Sequence, residues 1–206
     1  GMVAIINENN PYCDKILNSG LTPGQLSGIF KGEVPLTWDF VHGVEDHNPI
    51  RVFISSDGCS LGNCWARVLR MDPAELKGTT IPADESMVRF VQKEKLSIGF
   101  CCHRQAFDME TGNVLTGIKI IPFDCNSNGT LDEKEQFYSN LSSLQRAMWL
   151  GKYPCHFFLD SYLVCLEKPG SRPQIEFIKW MLDEGQKELE NEGYIRLSTK
   201  TLKQEL

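Results

Sequence analysis

Leu21-Thr-Pro-Gly-Gln-Leu-Ser-Gly-Ile-Phe-Lys-Gly32 reads as a helix with both ends marked. Thr22 supplies an N-cap oxygen, and Pro23 takes the first helical position, where its missing N–H leaves nothing unpaired. Leu26, Ile29 and Phe30 fall on one face, and Gly32 ends the helix. Upstream, Val3-Ala-Ile-Ile6 is a short apolar run closed by Asn7, Asn9, Asn10 and Pro11, which reads as a buried strand followed by a turn. Downstream, Pro49 to Ile54 is a second strand, rich in Ile, Val and Phe. Ser55 to Ser60 is a polar loop, and Trp65, Val68 and Leu69 suit a helix after it. A helix fits Asp84 to Lys95, with Met87, Val88 and Val91 inward, and strands fit Leu96 to Cys102 and Ile118 to Phe123. A helix from about Asp132 carries Phe137, Leu141, Leu144 and Met148. Phe157 to Leu166 reads as a fifth strand, and Pro173 to Glu192 as one long helix with Ile175, Ile178, Leu182 and Leu189 at helical spacing. Strands alternating with helices define the α/β class.

The chain's 206 residues make one domain or two small lobes, and 41% hydrophobic residues are enough for a sizeable core. Twenty-seven acidic against 21 basic residues give a net charge of -6, which argues against a nucleic-acid surface. That balance leaves a small anion open, because an anion senses only its pocket. No stretch is long and apolar enough to span a membrane, and no basic-then-apolar leader opens the chain.

Eight cysteines, at 13, 59, 64, 101, 102, 125, 155 and 165, show no spacing that fixes a disulfide framework. They are expected to be buried thiols acting as small hydrophobes. Cys101-Cys102-His103 is a poor zinc site, because neighbours on a strand point to opposite faces. No nucleophile elbow, phosphate-binding glycine loop or zinc-protease motif occurs, so no enzyme is expected.

The most specific local pattern is Asp124-Cys-Asn126-Ser-Asn128-Gly129-Thr130-Leu131-Asp132-Glu-Lys-Glu135, which fits the EF-hand calcium loop at every constrained position. Calcium takes six to eight oxygens. Asp124, Asn126 and Asn128 would offer side-chain oxygens on alternate residues, Thr130 its carbonyl, Asp132 a carboxylate reached through water, and Glu135 both oxygens. Gly129 permits the sharp turn, and Leu131 would pin the loop to the core. The expected cofactor is therefore a structural calcium ion in a lone EF-hand-like loop; the competing reading is an Asn/Gly turn with incidental acids.

Five segments taken in order resemble the phosphate-binding proteins of bacterial phosphate ABC transporters, with the type II periplasmic binding protein fold. They are Val3-Ala-Ile-Ile-Asn7, Leu21 to Gly32 with Trp38 following, Leu96-Ser-Ile-Gly-Phe100, Lys152-Tyr-Pro154, and Glu184-Gly-Gln186 with Gly193-Tyr194. The resemblance implies an α/β chain made of the second lobe plus the returning part of the first. Residues 1–8 would be a hinge strand, 9–116 the second-lobe-like domain, and 117–206 the return crossing, the calcium loop and the first lobe's last elements. Nothing matches the family's opening βα segment, so the missing lobe would come from another chain, or the protein would form a homodimer.

The resemblance also implies a ligand, phosphate or another small anion, and a site. Asn48-Pro-Ile-Arg-Val-Phe-Ile-Ser-Ser-Asp-Gly-Cys-Ser-Leu-Gly62 aligns with the family's strand and phosphate loop, where Arg precedes a Ser-Gly-Thr triplet. Here Ser55 stands at the Arg position, and Cys59, Ser60 and Leu61 replace the triplet, while Asp57 and Gly58 are kept. Ser55, Ser56, Asp57, Gly58, Cys59 and Ser60 are the candidate anion ligands, acting through hydroxyls and backbone N–H groups. The same residues also suit a plain Ser/Asp-capped turn. Phosphate binding is therefore expected to be weak or lost, which leaves a calcium-stapled interaction module as the alternative function. The family resemblance further implies an ABC permease as partner and a periplasmic or membrane-anchored, extracytoplasmic location.

Overall fold

In the computed structural model the described residues are 1–33, 36–39, 47–55, 61–82, 84–154, 161–192 and 194–205. Five strands, β1 (Met2–Asn7), β2 (Arg51–Ser55), β3 (Thr79–Ile81), β4 (Ser97–Cys102) and β5 (Ile118–Ile120), form one mixed sheet in the order β3-β2-β4-β1-β5. β2 runs parallel to β3 and β4, and β1 antiparallel to β4 and β5. Every residue of β1 is buried, as an apolar run without alternation requires of a strand covered on both faces.

Among the described residues there are eight helices: α1 (Cys13–Ser19), α2 (Pro23–Lys31), α3 (Leu61–Val68), α4 (Asp84–Lys93), α5 (Leu141–Trp149), α6 (Arg172–Leu182), α7 (Gly185–Asn191) and α8 (Thr199–Glu205). β4 shows how they divide between faces. Its Phe100 stacks on Trp65 of α3 at 5.1 Å and meets Phe30 of α2 edge-on at 5.6 Å. Gly99, on the opposite face, touches Met87 and Val91 of α4, and a Cβ there would lie 2.5 Å from the Met87 sulfur. The chain is thus α/β, with helices on both faces of the sheet. A second aromatic cluster joins Phe123, Phe137, Tyr138 and Tyr153 below β1, and the buried Tyr153 hydroxyl donates to the Met2 carbonyl.

α2 has the ends its sequence marks. Thr22 Oγ1 accepts from the Gln25 N–H at 3.1 Å, Gln25 Oε1 accepts from the Thr22 N–H at 2.9 Å, and Gly32 caps the helix at φ +67°. A less visible clamp holds α4. The buried Asn7 amide donates to the carbonyls of Val91 and Gln92 at 2.7 and 2.9 Å, satisfying two acceptors at the helix C-terminus, and its Oδ1 accepts from the Asn9 N–H.

Several expectations are corrected. No helix starts at Asp132: Glu133–Glu135 is a single 3-10 turn, and α5 begins at Leu141, capped by Asn140, whose Oδ1 accepts from the Ser143 N–H at 2.9 Å. Phe137 lies between them, in the aromatic cluster. The long terminal helix is two helices, broken at Asp183 because Gln186 folds back, donating to the Met181 carbonyl and accepting from the Leu197 N–H. Residues 161–166 of the expected fifth strand are in no strand and are exposed, since none of the five strands lies beside them; 155–160 fall outside the described residues. α1 and β3 lack any sequence signal strong enough to find them: α1 is short and follows an Asn/Pro turn, and β3 has three residues. Burial of the thiols holds for Cys13 and Cys101 but not for Cys125 and Cys165, which are exposed; Cys59 and Cys155 lie outside the described residues.

Candidate functional site

The expected anion site lies where β2 turns into α3. Ser55, half-buried, ends β2 opposite Ile81 of β3, at the carboxyl edge of parallel strands. α3 starts at Leu61, and its first turn packs on the end of the strand: a Cβ on Gly62 would be in van der Waals contact, 3.4 Å, with the Ser55 carbonyl oxygen. The stacking of Trp65 on Phe100 fixes the helix in that position. A helix N-terminus carries the positive end of its dipole. Ser56, Asp57, Gly58, Cys59 and Ser60, which connect the two elements, lie outside the described residues.

The second candidate, the loop from Asp124 to Glu135, is fully described. Its start is bound to the turn before α2: the Asp124 N–H donates to the Leu21 carbonyl at 3.1 Å. A Cβ at Gly20 would come 2.9 Å from the Asp124 nitrogen, so this close approach needs glycine. Within the loop the buried Asp124 carboxylate accepts from the N–H groups of Asn128 and Gly129, Asn126 Oδ1 from Asn128, and Asn128 Oδ1 from Thr130. Glu135 accepts from the N–H groups of Cys125 and Asp132. Asp132 Oδ2 receives the side-chain amides of Asn126 and Asn128 at 2.8 and 3.3 Å. Ser127 and Gly129 adopt left-handed conformations, φ +58° and +77°, which turn the loop inward.

All six candidate residues are therefore gathered in one loop, and among the described residues no Lys or Arg pairs with Asp124, Asp132 or Glu135. Although Cys125 is exposed as a whole, partial desolvation of its thiol, and then the Glu135 and Asp124 carboxylates, push the thiol up from its ordinary pKa. Among the described residues no group of three or more His, Cys, Asp or Glu side chains is placed to hold a metal, so a cation here would rely on the asparagine and backbone oxygens. Leu131 anchors differently from expectation: its backbone N–H donates to the Asn18 carbonyl at 3.1 Å, and its half-buried side chain lines an open groove of about 720 Å³ with Leu17, Lys119 and Tyr138. No residue of β2 or α3 lines that groove. Its one charged lining residue, Lys119, escaped the sequence reading because a single outward Lys on a strand carries no pattern.

Comparison with solved structures matches the topology to one group. A candidate phosphate ABC transporter substrate-binding protein of Clostridium perfringens, solved with bound phosphate, superposes over 96% of this chain and 69% of its own, with a TM-score of 0.60 and 17% identity. The ABC-type phosphate transport receptor of Vibrio cholerae gives 0.61 over the same shares at 17% identity. PstS of Borrelia burgdorferi gives 0.53, again at 17%. The chain has the fold of the phosphate ABC transporter substrate-binding proteins. No protein-family model and no curated protein matches it.

Proposed function

We propose that the chain is a non-catalytic solute-binding protein of the phosphate-transporter type, taking phosphate or another small oxyanion at the β2–α3 turn and presenting it to an ABC permease outside the cytoplasm. The observation that carries the reading is the placement of the α3 N-terminus against the carboxyl end of β2, in a fold shared with a protein solved with phosphate. Backbone N–H groups and the hydroxyls of Ser55, Ser56 and Ser60 would hold the oxyanion, with Asp57, Gly58 and Cys59 shaping the loop. No helix among the described residues is long and apolar enough to cross a membrane.

Ser55 at the family's arginine position weakens the site, because a charge-assisted bidentate contact is absent. Isothermal titration with phosphate tests this. The wild type should bind weakly, and Ser55→Arg should bind about ten- to a hundredfold more tightly, the equivalent of ~1.5–3 kcal/mol for hydrogen bonds to a charged group. Absence of phosphate heat from both proteins would refute the reading.

The acids of the Asp124–Glu135 loop, none of which pairs with a Lys or Arg among the described residues, favour a second reading, a calcium-stapled interaction module. Asp124, Asn126, Asn128, Asp132 and Glu135 supply side-chain oxygens and Thr130 a carbonyl. The two asparagine amides would turn about χ2 to exchange nitrogen for oxygen, a change that keeps their shape. With two Asn among the ligands, the expected Kd is on the order of 10⁻⁴–10⁻³ M. Calorimetry of the chelator-treated chain should show calcium binding, lost in Asp124→Ala and Glu135→Ala; undiminished heat in both variants would sink the site.

A further inference from the structure

α6, α7 and the turn that follows β4 line an open pocket of about 380 Å³, a volume in the range of small-molecule sites. Three aromatic rings contribute to it. Phe177 and Trp180, three residues apart on α6, stack at 6.3 Å. Tyr194 follows α7, and its N–H donates to the Leu189 carbonyl at 2.8 Å, which ties it back to that helix. Phe177, Trp180 and Tyr194 stay 50%, 46% and 45% exposed, so ring surface remains open to a ligand. Gly185 sets how the Trp180 ring lies: a Cβ there would come 3.2 Å from Trp180 Cζ3 and 3.3 Å from Cε3, so only the lack of a side chain lets the ring rest this close. The charged lining is Glu188, Glu192 and Arg104, two carboxylates against one guanidinium. Glu188 is exposed and makes no ion pair among the described residues. Arg104 meets Glu192 at 3.7 Å and places its guanidinium over the Tyr194 ring, 5.4 Å from the centroid. Part of the pocket thus already holds a cation between a ring face and a carboxylate. Phe177, Trp180 and Glu188 offer the same two kinds of partner, and among the described residues no cation lies on those rings.

We propose that this pocket binds a small organic monocation with a quaternary ammonium head, of the choline type, against Phe177, Trp180 and Glu188. Ring faces carry the negative side of the aromatic quadrupole and attract a cation. A quaternary ammonium suits a lining of rings and methylenes better than a primary amine does, because it has no N–H group that needs an acceptor. The surplus carboxylate selects for a single positive charge and turns anions away. The pocket shares no lining residue with the β2–α3 turn or with the Asp124–Glu135 loop, so the inference stands apart from both functional readings.

Calorimetry of the whole chain with choline chloride, and with 3,3-dimethyl-1-butanol as its neutral isostere, isolates the charge. Choline should bind about tenfold or more tightly than the alcohol, and its N-methyl proton resonance should move upfield as ring currents reach it. Glycine betaine, whose carboxylate meets Glu188 and Glu192, should bind more weakly than choline. Glu188→Gln keeps the side chain's shape at an exposed position; it should weaken choline about three- to tenfold and leave the alcohol unchanged. Trp180→Ala should weaken choline about tenfold, and Trp180→Phe less, both with an unchanged far-ultraviolet circular dichroism spectrum. Phosphatidylcholine vesicles separate two sources of the same head group: a chain that sediments with them takes it from lipid, and one that binds only soluble choline takes it as a free solute. Equal affinity for choline and the alcohol, no choline heat up to about 10 mM, displacement of choline by phosphate, or choline affinity untouched by Glu188→Gln and Trp180→Ala would each overturn the proposal.

Discussion

Asn7→Asp isolates one hydrogen-bond donor without changing side-chain shape. In the wild type the Asn7 amide gives both hydrogens to the carbonyls of Val91 and Gln92, at the C-terminal end of α4, from a position only 3% exposed. An aspartic acid there can return one hydrogen when protonated and none when ionised. At pH 4 the variant should lose about 1 kcal/mol, the net worth of one hydrogen bond. Ionisation then sets a carboxylate against two carbonyl oxygens and the negative end of the helix dipole, and burial opposes it further. All three effects raise the folded pKa above the unfolded value of about 3.9. A raised pKa leaves stability intact below the unfolded value and removes it as pH climbs towards the folded one, about 1.4 kcal/mol for each pH unit between the two. By pH 7 the total loss should reach about 3–5 kcal/mol, as for other uncompensated buried charges. Urea unfolding of both proteins from pH 4 to pH 8 measures the difference directly. A penalty under ~1 kcal/mol at pH 7, or one that does not grow with pH, would show that Asn7 does not clamp α4 as described.

Three further outcomes follow from the packing. Gly99→Ala sets a Cβ 2.5 Å from the Met87 sulfur and 3.1 Å from Val91 Cγ2, so it should cost about 1–3 kcal/mol, and pairing it with Met87→Ala should recover part of that loss in a thermal-unfolding cycle. Burial holds the Tyr138 and Tyr153 phenols well above their ordinary range, so their phenolate absorbance should emerge only on unfolding; folded pKa values above the unfolded ~10 mean that stability declines as pH rises past 10. Gly129→Ala meets no atom within 4 Å but must hold φ +77°, so it should cost about 1–2 kcal/mol through backbone strain alone, and Gly129→Asn clearly less, measured by urea midpoint.

The local sequence carried much of this fold by itself. Thr22, Pro23 and Gly32 bound α2 because capping is settled within a turn of chain, and the apolar runs of β1 and β4 announce strands buried on both faces. The stretch from Asp124 to Glu135 likewise reads as a tight turn, and it is one: Gly129 is left-handed and its N–H bonds back to the Asp124 carboxylate, which is local geometry. Elsewhere the tertiary structure decided. Ser161 to Leu166 has every strand preference and forms none, because a strand exists only beside a neighbour that fills its ladder. The periodicity from Pro173 to Glu192 runs on through Asp183, yet the Gln186 side chain, bonded at once to Met181 and Leu197, breaks the helix in two. Asn7 reads as a turn residue in the sequence; only the arrival of α4 some eighty residues later gives its amide the two carbonyls that make it a clamp.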